Sequence, residues 1–182
     1  MKMIKAIVAV DENWAIGCSG RLLFALPTDL QHFKRMTKGK TVLMGRKTMD
    51  SLPGGRPLPG RLNLVLTNDP ARVKEGFFSV STVEEAVERL TSAQRERLEP
   101  GTMSQTVVDD AFVIGGEQVY RLLLPHCDEA IVTHIHERAE TADAFFPDLT
   151  ALSDWEEVER GDTVFDSGHS YTIVCYRRMN QK

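Results

Sequence analysis

Phe112-Val113-Ile114-Gly115-Gly116-Glu117-Gln118-Val119-Tyr120 runs from an apolar strand, through two adjacent glycines, into a helical pattern. Paired glycines at such a junction mark backbone geometry that a Cβ would obstruct. Alone, the pair also suits an ordinary tight turn. An earlier stretch has the same build: Val42-Leu43-Met44-Gly45-Arg46-Lys47-Thr48 passes from a buried strand through glycine and two cations into a short helix. Free N–H groups at a helix start attract anions, glycine permits close approach, and Arg46 and Lys47 add charge-assisted bonds to a phosphate. Alone, this run reads equally as a loop with two exposed cations. Two such turns in one chain argue together for an open α/β sheet that binds ligand beyond the carboxyl ends of its strands.

The rest of the chain follows that alternation. Apolar, β-rich runs at Ile4–Val10, Thr41–Gly45, Asn63–Thr67, Phe77–Val80, Ala111–Gly115, Ala130–Ile135 and Tyr171–Arg177 are separated mostly by helical patterns, as crossover helices require. The best helix signal spans Thr82–Leu98: Ser81 or Thr82 with Glu84 or Glu85 makes a capping box, and Val83, Ala86, Val87 and Leu90 share a face. Helices are also expected from about Thr28 to Met36 and from Glu117 to Leu124, where Pro125 stops the second. Near the C-terminus Trp155–Arg160 and Ser170–Arg178 read as a hairpin-like pair joined by polar Asp162–Ser170, so the sheet ends antiparallel. Thr91–Asp110 reads as a solvated surface insertion. No second domain is expected in residues 1–182.

With 182 residues, 42% of them hydrophobic, the chain can bury a sizeable core. A net charge of −4 argues against a nucleic-acid partner. Three cysteines, widely spaced and without a CxxC pair, suit a reducing cytosol and frame neither a disulfide nor a zinc site. The apolar N-terminal run is too short to span a membrane. The expectation is a cytoplasmic protein. Two familiar phosphate motifs are absent. Gly39-Lys40-Thr41 imitates the end of a P-loop, but Lys34 stands where its first glycine belongs, and no GxGxxG occurs.

Other candidates have plainer explanations. His134 and His136 share a strand face but lack an acidic or cysteine partner at ligand spacing, so packing histidines are favoured and no metal site is expected. Ser167, His169 and Asp166 crowd one polar loop without a nucleophile elbow. Arg61, beside Pro57-Leu58-Pro59-Gly60, has the fork to clamp a carboxylate, though an exposed arginine is commoner. Asp29 closes the apolar stretch Leu22–Leu30, and two readings stay open. Thr28 and Gln31 form a capping box that would make Asp29 a helix-start residue. Alternatively, a desolvated carboxylate with a raised pKa would handle protons.

Taken in order, Ile16-Gly17, Leu26-Pro27-Thr28-Asp29-Leu30, Phe33-Lys34, Met44-Gly45-Arg46-Lys47-Thr48, Pro57-Leu58-Pro59-Gly60-Arg61, Ile114-Gly115-Gly116 with Tyr120, Thr133 and Phe146-Pro147-Asp148 resemble dihydrofolate reductases. The resemblance covers about Ile4 to Arg178, with local departures at Pro53–Gly55 and Thr91–Asp110. It implies a single-domain α/β fold with a central eight-stranded, mostly parallel mixed sheet and flanking helices. It also implies NADPH as hydride donor, dihydrofolate as substrate, antifolates as inhibitors, and a monomer serving one-carbon metabolism. By that resemblance Asp29 anchors the pterin and promotes protonation at N5. Ile7, Val8, Ile114 and Thr133 line the pterin pocket, Leu30, Phe33, Leu52 and Leu58 pack on the pterin and benzoyl rings, and Arg61 pairs with the glutamate α-carboxylate. Ala9, Ile16, Gly17 and Leu22 face the nicotinamide. Gly45, Arg46, Lys47 and Thr48 form the phosphate turn, with Thr67 and Asn68 toward the adenosine. Gly115 and Gly116, joined by a cis peptide, touch the pyrophosphate region beside Gln118, Val119 and Tyr120. Asn13–Leu23 matches a mobile lid that Asp143 ties down.

Two departures stand out. Phe24 replaces a tryptophan whose indole N–H holds a water near the pterin, and phenylalanine keeps the shape while losing the donor. Gln118 stands where some members place a cation, which leaves Arg46 and Lys47 to select the 2′-phosphate. Two rivals remain. A pyrimidine reductase of riboflavin synthesis would share fold and cofactor but offers no glutamate tail to Arg61. A non-catalytic binding module would not need Asp29.

Overall fold

The computed structural model describes residues 2–92 and 110–179. Along them run β1 (Ile4–Val10), β2 (Ala15–Cys18), β3 (Arg21–Leu22), α1 (Pro27–Thr37), β4 (Thr41–Gly45), α2 (Arg46–Ser51), β5 (Leu62–Leu66) and β6 (Phe78–Val80). There follow α3 (Val83–Thr91), β7 (Ala111–Val113), α4 (Glu117–Leu123), β8 (Glu129–Ile135), β9 (Ala144–Phe145), β10 (Trp155–Asp166) and β11 (His169–Arg178). Eight strands form the main sheet in the order β10-β11-β8-β1-β7-β4-β5-β6. Every pairing from β8 to β6 is parallel, while β11 runs antiparallel to both β8 and β10. The mixed, mostly parallel sheet expected from the alternation is therefore present, antiparallel end included.

Parallel strands are buried on both faces, and period-two alternation assigns each side chain to one of them. On β1, Ile4, Ala6, Val8 and Val10 join the cluster of Ala86 and Leu90 of α3 and of Val119, Tyr120 and Leu123 of α4. Ile7 points the other way, into the cluster of Val42, Met44, Met49, Phe112 and Ile131, against which Phe33 and Met36 of α1 pack. The functional cleft opens on this second face.

Several expected boundaries move, each for a local reason. α1 starts at Pro27, whose ring suits a first helical position, and Leu26 caps it without a side-chain bond. The expected Thr28–Gln31 capping box is not formed. Thr28 instead gives its N–H (2.8 Å) and hydroxyl (2.7 Å) to Asp166 on β10. The capping box before α3 is real: Thr82 accepts from Glu85 N–H at 3.1 Å, and Glu85 accepts from Ser81 N–H at 2.8 Å. That helix ends at Thr91, however, and most of the supposed Thr91–Asp110 insertion lies outside the described residues. β10 continues through Asp166, so the polar link shrinks to Ser167-Gly168. Mostly exposed residues along this edge strand give it the polar look of a loop.

The segment that the resemblance matches to a lid, Asn13–Leu23, contributes β2 and β3 to a small second sheet, β3-β2-β9. Asp143 holds it, donating its N–H to Gly17 O (3.1 Å) and accepting from Ser19 N–H (2.8 Å). Just before it stands Asp11, 2% exposed, whose carboxylate accepts from Asn13 and Ala15 (2.8 and 2.9 Å) and from Ala139 (2.9 Å). Asp11→Ala removes the acceptor of three backbone donors, of which only the Ala15 N–H is fully buried, and should cost about 1–2 kcal/mol in urea unfolding. A loss within 0.5 kcal/mol, the usual range of surface changes, would contradict this role.

Candidate active site

The site grows from the first turn of α1. Asp29 lies in that turn, and Thr133 on β8 donates its hydroxyl to Asp29 Oδ1 at 2.6 Å. Burial is the main influence on the carboxyl and pushes its pKa above the ordinary value. The Thr133 bond and nearby His32 work against that shift, and the Asp166 charge adds to it. The two readings of Asp29 are thus compatible, since a helix-start residue is presented to an apolar cleft. Leu22, Leu23, Phe24, Leu26 and Leu30 wall that cleft with Ile16 from the lid. Ala9 and Ile135 lie on its sheet side. Leu22 is 69% and Leu30 52% exposed, large apolar surface of the kind that ligand grooves carry.

Phe33, Leu52, Leu58 and Ile114 sit half-buried on the rim of the cluster that contains Ile7, so the expected ring-packing residues are brought together. Val8 is an exception in part. Its side chain belongs to the opposite face, leaving only its backbone to meet a ligand here. At the far end, Arg61 is 7% exposed rather than a surface arginine. Its guanidinium donates to Thr37 Oγ1 (3.0 Å) and Pro59 O (3.1 Å), and no carboxylate among the described residues pairs with it. Burial lowers its pKa. A buried cation without a counter-charge is costly, and an anionic ligand would complete it.

The two glycine turns meet across the neighbouring strand ends. Gly45 donates its N–H to Gly115 O at 2.8 Å. The Gly115–Gly116 peptide is cis, and Gly115 has φ +114°. A Cβ there would lie 3.2 Å from the Tyr120 ring, and one on Gly45 would lie 3.0 Å from Val119 Cγ2. Neither α2 nor α4 has a side-chain N-cap, leaving their first N–H groups for other acceptors. Lys47 is exposed, and Arg46 is half-buried beside them with one bond to Asp50 at 3.0 Å. Val119 and Tyr120 are core residues, and the Tyr120 hydroxyl donates to Ile7 O at 2.7 Å. Thr67 Oγ1 accepts from Asp69 N–H, and Asn68 and Gln118 are exposed. This cradle, cationic at its mouth and too tight for an easy side chain at Gly45 and Gly115, has the chemistry to hold a dinucleotide diphosphate.

The plainer explanations hold for the remaining candidates. His134 Nε2 bonds Tyr176 (3.0 Å), and the His136 ring bonds Ser170 and Thr172. Ser167 donates to Asp166, while His169 pairs with Glu137 and lies edge-on to Phe24 at 5.1 Å. Serine and histidine therefore do not face one another. Asp11 belongs to no motif, and Asp166 enters the sequence reading only beside Ser167 and His169, not as a partner of α1. A carboxylate directly after a buried strand was the available sign for Asp11, whereas nothing local to Asp166 shows that it reaches α1.

Strand ends that carry two open helix starts and a lone desolvated carboxylate define a nucleotide-dependent α/β enzyme with acid–base capacity. Comparison with known proteins narrows that class. The family described as dihydrofolate reductase matches residues 3–178. The type 3 dihydrofolate reductase of Salmonella typhimurium is 36% identical, covering 99% of each chain. That of Bacillus subtilis is 34% identical, covering 98% of this chain and 96% of its own. A solved dihydrofolate reductase from Enterococcus faecalis, complexed with NADP(H) and RAB-propyl, superposes with a TM-score of 0.80 at 34% identity, covering 98% and 97%. The chain belongs to the dihydrofolate reductase family.

Asp29→Asn should lower dihydrofolate-dependent turnover at least a hundredfold, roughly the worth of a placed proton donor. It should also stabilise the fold at neutral pH. Because the native pKa is raised, ionisation of Asp29 penalises the folded state above that pKa, and the penalty vanishes below the unfolded value. The Tm gain of the variant should therefore shrink as pH falls. Retained turnover, or a lower Tm at pH 7, would count against this site.

Proposed function

We propose a division of labour within this cleft for the reaction the chain catalyses, the NADPH-dependent reduction of 7,8-dihydrofolate to 5,6,7,8-tetrahydrofolate. The observation that carries it is Asp29, held through one oxygen by Thr133 in an apolar wall. Each of its two oxygens keeps an acceptor site, one for the pterin amino group and one for the ring nitrogen. A raised pKa brings this carboxyl toward the range where it promotes protonation at N5. Bound NADPH supplies the hydride that C6 receives. Ile7, Val8 through its backbone, and Ile114 frame the pterin, while Leu30, Phe33, Leu52 and Leu58 pack on its rings and the benzoyl group. Leu22, Ile16 and Gly17 cover the nicotinamide end beside Ala9, and exclusion of water there strengthens the field of Asp29. Phe24 shapes the wall without offering a donor.

Arg61 takes the α-carboxylate of the glutamate tail, which favours folate over a ribityl pyrimidine. The open N–H groups after Gly45 and Gly116, with Lys47 and Thr48, receive the diphosphate region, and Arg46 selects the 2′-phosphate near Thr67 and Asn68. Gln118, Val119 and Tyr120 support this turn. A single domain acting as a cytoplasmic monomer completes the proposal. No metal is assigned. The net charge of −4 disfavours nucleic acid, and no helix among the described residues is long and apolar enough to cross a membrane.

Two substitutions test the ends of the cleft. Arg61→Ala should raise KM for dihydrofolate about 10- to 100-fold, from 1.5–3 kcal/mol for a charged bond. It should leave dihydropteroate, which lacks the glutamate, nearly unaffected; equal losses with both substrates would refute the assignment. Arg46→Ala should reduce the preference for NADPH over NADH about tenfold or more, and an unchanged ratio would remove Arg46 from that role.

A further inference from the structure

α1 carries a second titratable group beside Asp29. His32 lies three residues on, where helical side chains are neighbours on one face. Its Nε2 is buried and has no hydrogen-bond partner in the protein, the single such side-chain nitrogen or oxygen among the described residues. Buried polar atoms are as a rule paired, by water where protein supplies nothing. Asp29 has a complementary need: Thr133 occupies Oδ1, and Oδ2 has no protein donor among the described residues. Phe24, in the cleft wall, has no hydrogen to give.

We propose that His32 is a positioning residue for proton delivery, its Nε2 holding a water against Asp29 so that carboxylate and imidazole share one exchangeable proton. This rests on the reading of Asp29 as the pterin anchor. When N5 takes a proton from the shared site, solvent returns one through His32, and only N–H and O–H bonds change along this path. The electrostatics agree with the geometry. Burial raises the Asp29 pKa and lowers that of His32, bringing the two together. Each charge favours the other, while Arg35 on α1 opposes an imidazolium and Asp166 on β10 opposes the carboxylate. From β8, Thr133 contributes a neutral donor. Groups coupled in this way titrate as a pair.

The test is the pH profile of kcat/KM for dihydrofolate in the full chain, for the parent, His32→Leu and Asp29→Asn. Loss of the donor should raise the apparent pKa of the His32→Leu profile by roughly half a unit or more. Its kcat above that pKa should fall about 3- to 10-fold, with KM for NADPH unchanged. A folded His32→Leu whose profile superimposes on the parent overturns the proposal, because a purely structural histidine would alter stability or KM without moving the pKa. If His32→Leu does not fold, the imidazole resonance of His32 decides. Its titration should move to lower pH in Asp29→Asn, where the favouring charge is gone, and an unmoved titration overturns the proposal. An active Asp29→Asn would instead defeat the reading of Asp29 itself, separating the two failures.

Discussion

A hydroxyl on a central strand meets a carboxylate on the first turn of a helix: Thr133 to Asp29, 2.6 Å. Thr133 pairs in register with Ala9 of β1 and Ile173 of β11, so its position is set by the sheet. Asp29 arrives from outside the sheet, on a helix whose start is tied to β10 through Thr28 and Asp166. Thr28 also meets the Tyr171 hydroxyl at 2.7 Å, linking that start to β11. The acid is therefore held between elements far apart in the chain. Moving α1 relative to β8 would break the one side-chain bond that Asp29 makes among the described residues.

The same sheet supplies the other half of the cleft. Strand ends at Gly45 and Gly115 are joined directly by a backbone bond, which fixes the separation of the helix starts of α2 and α4. Tyr120 buries its ring beneath this junction and reaches Ile7 O on β1. The glycine turns and β1 are thus connected through one phenol. The β2–β3 segment is held by other groups, Asp11 before it and Asp143 across from it.

Much of this was legible in the residues because parallel strands advertise themselves. Thr41–Gly45 and Ile4–Val10 emerge with the bounds their apolar runs suggest. β10 was shortened because an exposed edge strand carries loop-like residues. The capping box at Thr28 misled because a tertiary acceptor, Asp166, won the Thr28 amide from the local one. Burial of Arg61 was illegible for a similar reason: its partner Thr37 stands 24 residues earlier. The orphaned nitrogen of His32 is equally hidden, since no local pattern shows that a helical histidine buries a ring nitrogen without a partner. Motif order along the chain points to the candidate site, while contacts between distant segments set the burial and bonding of its residues.

Everything assigned to the cleft depends on Asp29 being a desolvated carboxyl whose proton is available near working pH. Following the 13C resonance of its side-chain carboxyl from pH 3 to pH 8 in the full chain, without substrate, measures that directly. The account predicts a midpoint clearly above the ordinary aspartate value of about 3.9, with a curve broadened by coupling to His32. A simple titration at or below the ordinary value would mean that Asp29 is a solvated helix-start residue, and would contradict the account.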